Sequence, residues 1–267
     1  MRSTFTMFRV SLKSIIRDRQ TLVGAMMFPT IFLLAFGSFD IGLTDAGLDT
    51  GGGGIDYFDF VLPGILAMAS VQFSVFWTSG SYARMGETKV LRRLEATPIP
   101  QSAFLAGQVM ARLIVVAVQA AIVIGVGTLL GANIVGNPLW MILLTVLAAA
   151  TFLSLGFAIG AKASNVDSAN MISGMVVMPL VFLSGAWFPI AGLPGWLKSV
   201  MDLLPLAPLM EAMRTVAIGG GSLFDVGGEL LQVALWVPVT FAIAVIALRP
   251  RRTTVRRLTA QPAPATV

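Results

Sequence analysis

The chain has 267 residues, of which 56% are hydrophobic and 12% are charged, with a formal net charge of +5. Soluble domains are about 45–50% apolar and about 25% charged, so this composition argues against a soluble globular protein and excludes a disordered one. The sequence has no cysteine and no histidine, which excludes disulfides, thiolate zinc sites and histidine-dependent catalytic triads.

Six stretches of the sequence are long and apolar enough to cross a bilayer as helices. Each has 18 to 24 residues and contains no Asp, Glu, Lys or Arg. A hydrocarbon core of about 30 Å needs about 20 helical residues, so the predicted fold class is an all-α integral membrane protein. The six predicted spans cover residues 21–39, 60–83, 113–130, 139–161, 171–190 and 230–248.

Residues 1–20 precede the first predicted span and are amphipathic. Apolar residues recur at helical spacing on one face and cations occupy another: Phe5, Phe8, Leu12 and Ile15 against Arg9, Lys13 and Arg17. This pattern is typical of an interfacial helix in the headgroup layer. The basic start and the apolar run 22–36 also imitate a cleavable signal peptide, but the amphipathic pattern favours the interfacial helix.

Lysine and arginine are distributed unevenly between the two sides of this predicted topology. Sixteen of the 18 lie on one side and two, Lys198 and Arg214, lie on the other. The positive-inside rule therefore predicts a multi-pass protein of the plasma (inner) membrane with both termini in the cytoplasm. We expect the basic tail 249–267 to face anionic lipid rather than nucleic acid. The cation-rich segments are 1–20, 84–112, 162–170 and 249–267, and the cation-poor ones are 40–59, 131–138 and 191–229.

The loop between the second and third predicted spans contains a short amphipathic helix. Val90, Leu91 and Leu94 form an apolar stripe among cations and carboxylates, and Pro98 and Pro100 end the helix. Such a helix could rest on lipid, or it could dock a soluble partner that buries the stripe and pairs with the charges at its rim.

The same loop resembles the coupling segment of type-2 ABC transporter permeases, where an E-x-x-x-x-x-x-L-x-x-x-P-like run follows the second span; here the run is Glu87 to Pro98. Further motifs agree in order along nearly the whole chain, and the chain is most similar to the daunorubicin and drug-exporter branch of that family. These motifs are Arg17-Asp18-Arg19 ahead of an apolar run with Pro29, Tyr57–Gly64 as a Y-x-x-F-x-x-P-G entry to the second span, and Leu183-Ser184-Gly185 through Glu211–Arg214 before the sixth span.

The resemblance implies a transmembrane permease subunit of an ATP-driven exporter that moves a drug, antibiotic or lipid-like amphiphile outward. It also implies a second permease copy or a related permease chain, and a separate ABC ATPase that carries ATP and Mg²⁺. The chain has no G-x-x-x-x-G-K-[ST] phosphate loop, so we expect no enzyme activity, cofactor or metal on this chain. The residues that the resemblance assigns to coupling with the ATPase are Arg84, Glu87, Val90, Leu91, Leu94, Glu95 and Pro98.

Polar, aromatic and flexible side chains within the predicted spans are candidates for a substrate path. Polar residues in spans also join helices by hydrogen bonds, which is the alternative interpretation. The fourth span carries a GxxxG pattern at Gly156 and Gly160. The candidate path residues are Gln72, Phe76, Gln119, Met175 and Phe182.

Residues 191–229 are too apolar for an ordinary loop. We predict short re-entrant helices that enter the outer leaflet, since irregular backbone at that depth must be buried in protein. The resemblance implies that such external helices cap the translocation path. Glu211 and Arg214 are three residues apart on a helix and can pair, either to pin this cap or to contact substrate. The candidate cap residues are Pro189, Trp196, Glu211 and Arg214.

An ion-coupled secondary transporter is the alternative function. Such carriers normally use ionisable groups within the membrane, and none of the six predicted spans contains one. An intramembrane enzyme is the other rival class, but no His, Cys or paired carboxylates lie at the ends of the predicted spans. The residues therefore favour a permease whose energy comes from elsewhere.

Overall fold

A computed structural model describes residues 2–38, 57–97, 99–185 and 195–248. Within these ranges the regular structure is entirely helical, as predicted. The elements are α1 (Arg2–Arg17), α2 (Arg19–Ser38), α3 (Tyr57–Gln72), a π-helical segment (Phe73–Trp77), α4 (Thr78–Glu87), α5 (Val90–Glu95), α6 (Gln101–Leu129), α7 (Pro138–Lys162), α8 (Val166–Phe182), α9 (Gly195–Leu203), α10 (Leu206–Ala217) and α11 (Gly227–Leu248).

Four helices among the described residues are long and apolar enough to cross a membrane. They are Phe58–Glu87, Gln101–Leu129, Pro138–Lys162 and Gly227–Leu248, and they match the second, third, fourth and sixth predicted spans. Two shorter apolar helices, Leu22–Ala35 and Val166–Phe182, lie where the first and fifth spans are predicted. The described part of the chain is therefore a helical bundle with four candidate membrane spans.

The third span begins earlier than the sequence predicts. Helix α6 starts at Gln101 rather than at 113 and has 29 residues, which at about 1.5 Å per residue makes it roughly 43 Å long. Arg112, counted above as part of a loop, is therefore the twelfth residue of a continuous helix and is only 4% exposed. Helix α6 therefore carries a buried ionisable residue directly before the charge-free run 113–130.

The second predicted span is interrupted by the π-helical turn Phe73–Trp77, and α7 packs closely against it. A Cβ atom on Gly156 would collide with the carbonyl oxygen of Ser74, and one on Gly160 would lie 2.6 Å from the carbonyl oxygen of Ser79. The GxxxG pattern of α7 therefore lets two backbones approach, as small residues do at helix interfaces in membranes.

Helix α7 lies at the centre of the bundle. Its side chains Met141, Leu144 and Phe152 are fully buried, and the helix contacts α3, α4, α6, α10 and α11. Helix α1 packs along α6, where a Cβ atom on Gly107 would lie 2.7 Å from the backbone nitrogen of Phe8. The predicted amino-terminal helix therefore exists and is attached to the bundle through α6.

The apolar segment before the last span folds into α9 and α10. Helix α10 is mostly buried against α3, α7 and α11, with Leu206, Leu209 and Met213 fully enclosed. Helix α9 is exposed, and Trp196 on it is 71% accessible. One helix of the predicted cap is thus part of the core and the other lies on its surface.

Candidate functional site

The predicted coupling segment forms a sharp turn between two candidate spans. Helix α4 ends at Glu87, the hydroxyl of Thr88 donates to the carbonyl of Arg84 at 2.8 Å, and Lys89 adopts the left-handed conformation with φ 57°. Helix α5 follows directly at Val90. We call the part of the bundle that contains residues 82–97, 99–105 and 160–169 the α5 end.

The three residues of the apolar stripe predicted on α5 do not all face the bundle. Leu91 and Leu94 are partly buried against the cluster of Tyr82, Phe104 and Phe157, because a six-residue helix at the end of a bundle buries its larger apolar side chains on the bundle itself. Val90 is 41% exposed, and Lys89 and Arg93 are exposed beside it.

Leu91 and Leu94 therefore contact this chain. Val90 and Arg93 of α5, and Lys89 just before it, are exposed to the surroundings. Arg84 is exposed on the last turn of α4. Two other predicted coupling positions, Pro98 and the side chain of Glu95, lie outside the described residues.

A cleft of about 610 Å³ lies beneath α5. Its apolar wall includes Leu91, Leu94 and Phe104, and Glu87 and Lys162 contribute charged groups. The last residue described on α11, Leu248, also lines it. The α5 end is therefore incompletely packed, and α5 forms one wall of an open space rather than a closed core.

Glu87 connects the coupling segment to α8, one of the two shorter apolar helices. Its Oε1 accepts a hydrogen bond from the backbone N–H of Val166, the first residue of α8, at 3.0 Å. Asn165 caps the same helix by accepting from the N–H of Ser168 at 2.7 Å, and the hydroxyl of Ser168 accepts from the N–H of Asn165. The first amides of α8 are otherwise without partners within the helix, so the carboxylate of Glu87 completes the cap.

Arg112 is the centre of a buried polar network that joins three helices. Its Nε donates to Thr78 Oγ1 at 3.0 Å and its Nη2 donates to Ser81 Oγ at 2.6 Å. Its Nη1 donates to the backbone carbonyl and to the side-chain oxygen of Gln108. The guanidinium carbon lies 5.2 Å from the centre of the Phe157 ring. Helices α4, α6 and α7 are thereby held together just before α5 begins.

Sequence reasoning missed this network because it treated Arg112 as the end of a loop. One signal was available: no proline or glycine pair interrupts residues 101–112 after Pro100, so a helix that starts at Gln101 carries Arg112 inward. The partners Thr78 and Ser81 had no signal of their own, since their approach to α6 is a tertiary contact.

The five candidate path residues do not line one cavity. Gln72 and Gln119 both line a cavity of about 120 Å³ near Pro29. Phe76 lies on another side, 3.6 Å from the position of a Cβ atom on Gly174. The remaining two point away from the bundle on α8: Met175 is 70% exposed and Phe182 57%.

Gln119 has a structural partner that follows from the sequence of α2. Pro29 has no N–H, so the carbonyl of Ala25, four residues earlier, loses its helical donor. The Nε2 of Gln119 donates to that oxygen at 2.6 Å. In this structure Gln119 therefore joins α6 to α2, as the alternative interpretation of the polar span residues expects.

Arg214, predicted to pair with Glu211, also makes contacts with α3 and with the end of α8. Arg214 donates through Nη2 to the carbonyl of Gly185 at 2.6 Å, and its guanidinium lies 3.9 Å from the centre of the Phe60 ring. Burial lowers the pKa of Arg214 to about 10, and the charge of Glu211 opposes that shift. Arg214 thus fastens α10 to α3 and to the end of α8. Pro189, the remaining cap position, lies outside the described residues.

The helical bundle and its apolar candidate spans together define a helical membrane protein. The chain belongs to the family described as ABC-2 type transporter, whose family model matches residues 2–218. This confirms the predicted resemblance. The family is that of the transmembrane subunits, which do not themselves carry the ATP-binding site.

Three relatives illustrate the range of the family. Nodulation protein J of Rhizobium meliloti (strain 1021) is 27% identical over 236 residues, which are 86% of each chain. The daunorubicin resistance ABC transporter permease protein DrrB1 of Streptomyces coeruleorubidus is 28% identical over 83% of this chain and 78% of its own. The "Probable multidrug ABC transporter permease YbhR" of Escherichia coli (strain K12) is 26% identical over 74% of this chain and 54% of its own.

Proposed function

We propose that this chain is the permease subunit of an ATP-driven ABC exporter. It crosses the plasma (inner) membrane with six helices and both termini in the cytoplasm, α2 and α8 completing the four clear spans. A separate ABC ATPase supplies ATP hydrolysis, and a second permease copy or a related chain completes the transmembrane part. The cargo is a drug, antibiotic or other amphiphile, as the names of two relatives suggest for those proteins.

The observation that carries this proposal is the exposed face of α5. A short helix with Lys89, Val90 and Arg93 exposed stands at the end of the bundle between two candidate spans. On its other face, Leu91 and Leu94 pack against the bundle. A force applied to that face by a soluble partner therefore reaches α4 and α6 directly.

The buried arginine on α6 does not favour the rival ion-coupled carrier. An ionisable group within a span is typical of ion-coupled transport, but an arginine keeps its proton at physiological pH and cannot release it to a proton pathway. The donors of Arg112 are also directed to neutral partners on neighbouring helices, which is the pattern of a structural connection.

The test is capture of the ABC ATPase by a permease with its α5 surface reversed in charge. Lys89→Glu with Arg93→Glu is expected to weaken co-purification of the ATPase about tenfold or more, since repulsion replaces charge complementarity. Insertion into the membrane should be normal, because neither side chain lies in a candidate span. Lys13→Glu, an exposed reversal on α1, is the matched control and should leave capture intact. Equal capture by all three proteins would refute docking at α5.

A further inference from the structure

Three contacts join α4 to α8 along one antiparallel face. The hydroxyls of Ser79 and Ser173 are 2.7 Å apart. The absence of a side chain at Gly80 leaves room for α8, since a Cβ atom there would lie 3.2 Å from the Oδ1 of Asn170. The bond from the Val166 N–H to Glu87 is the third contact and the nearest to α5. Helix α8 is thus held to the helix that carries the coupling segment, and not only to its own neighbours in sequence.

Glu87 occupies the position at which α4 becomes the coupling segment. It is the last residue of α4, and Lys89 two residues later takes the left-handed turn into α5. A displacement of α5 about this turn therefore reaches α4 at Glu87, its last residue. Its carboxylate is also the acceptor for the first amide of α8, at the positive end of that helix dipole, where a negative charge is stabilising.

We infer that Glu87 is a positioning residue that passes movement of the coupling segment to α8 through the N–H of Val166. This inference rests on the proposed docking of an ATPase at α5 and adds a second helix, α8, to those that the docking moves. Helix α4 moves because it is continuous with the segment, and α8 moves because Glu87 holds its amino terminus. One docking event then shifts the candidate span that contains α4 and the shorter apolar helix α8 together.

The bond can be removed from either partner. Glu87→Ala removes the acceptor, and Glu87→Gln keeps an acceptor oxygen without the charge. Val166→Pro removes the donor, and proline is favoured at the first position of a helix. Asn165 already has φ −154° and ψ 175°, close to the extended conformation that a following proline requires. Val166→Ala keeps the N–H and is the control for loss of the valine side chain.

Hydrogen exchange of the permease alone tests the bond itself. A first-turn amide without an acceptor exchanges freely, so the amide of Val166 should exchange about threefold to tenfold faster in Glu87→Ala than in the wild type. Glu87→Gln should fall between them. Unchanged exchange in Glu87→Ala would show that the carboxylate does not hold α8, whatever the ATPase does.

Exchange in the complex with the ATPase tests the transmission. In the wild type and in Val166→Ala, ATP binding should change the exchange of residues 167–175 of α8 by about threefold or more. Val166→Pro should lose that change while still capturing the ATPase, and Glu87→Ala should lose it in the complex that forms. The double variant should behave like either single variant, because both substitutions remove one bond. Additive effects, or a normal response in Val166→Pro, would overturn the inference. If the wild type does not capture the ATPase, docking at α5 is refuted. The hydrogen exchange of the permease alone would still decide whether Glu87 holds the amino terminus of α8.

Discussion

Replacement of Gly160 by alanine on α7 should destabilise the bundle by a predictable amount. The new Cβ atom would lie 2.6 Å from the carbonyl oxygen of Ser79 and 2.9 Å from the Cβ of Tyr82. Ordinary van der Waals contact begins near 3.4 Å, so α7 and α4 must separate by roughly 0.8 Å at this point. Both neighbours are main-chain or Cβ atoms, which no side-chain rotation can move aside.

The expected magnitude combines two effects of opposite sign. Overpacking of this kind costs about 1–3 kcal/mol, and alanine gains up to about 1 kcal/mol over glycine in a helix. With the full gain subtracted, the net loss relative to the wild type is about 0–2 kcal/mol, and relative to alanine at an unobstructed helical glycine the loss is about 1–3 kcal/mol. For a chain of this size each kcal/mol corresponds to about 2–4 °C in the melting temperature.

The assay is thermal unfolding of the purified permease in detergent, with Gly125→Ala as the matched control. Gly125 is also a helical glycine in a candidate span, but a Cβ atom there would meet nothing within 4 Å. The control should melt at the wild-type temperature or slightly above it, and Gly160→Ala should melt several degrees below. Equal melting temperatures for the two variants would refute the close approach of α7 to α4.

Two further predictions concern the buried polar residues of α6. Arg112→Lys should lower the stability by about 1–3 kcal/mol and more than Arg112→Met, because lysine keeps the buried charge but cannot reach Thr78 and Ser81 together; a lysine variant as stable as the wild type would contradict this network. Gln119→Leu should cost about 0.6–1.7 kcal/mol by leaving the carbonyl of Ala25 without a donor. In a Pro29→Ala background the restored N–H of residue 29 can donate to the carbonyl of Ala25, so the cost of Gln119→Leu should fall to near zero. An unchanged cost in that background would show that Gln119 does not compensate for the proline.

Much of the fold could be predicted because membrane insertion imposes a one-dimensional constraint. A charge-free run of about 20 apolar residues is required of each spanning helix, and this requirement is visible in the sequence without knowledge of any contact. The helices at 139–161 and 230–248 lie within α7 and α11 for that reason. The order of motifs from Arg17 to Arg214 likewise identified the family before any packing was known.

The candidate site could be predicted only in outline. The sequence placed an amphipathic helix between Glu87 and Pro98, but the direction of its stripe depends on what lies beneath it. Leu91 and Leu94 turn inward because Phe104 and Phe157, from two other helices, offer them an apolar surface. Sequence periodicity shows that a helix face is apolar, but it does not show which neighbouring helix covers that face.

The composition and the spacing of the apolar runs determined by themselves that the chain is a helical membrane protein with a short amphipathic helix between two spans, and the resemblance of its motifs pointed to the permease family. Only the tertiary structure decided where the polar residues go. Arg112 lies inside α6 because the helix begins twelve residues before the charge-free run, Gln119 serves the carbonyl that Pro29 leaves free, and Glu87 holds the amino terminus of α8. Each of these bonds joins residues 30 or more positions apart in the chain, and their formation depends on which helices pack together, which no local pattern encodes.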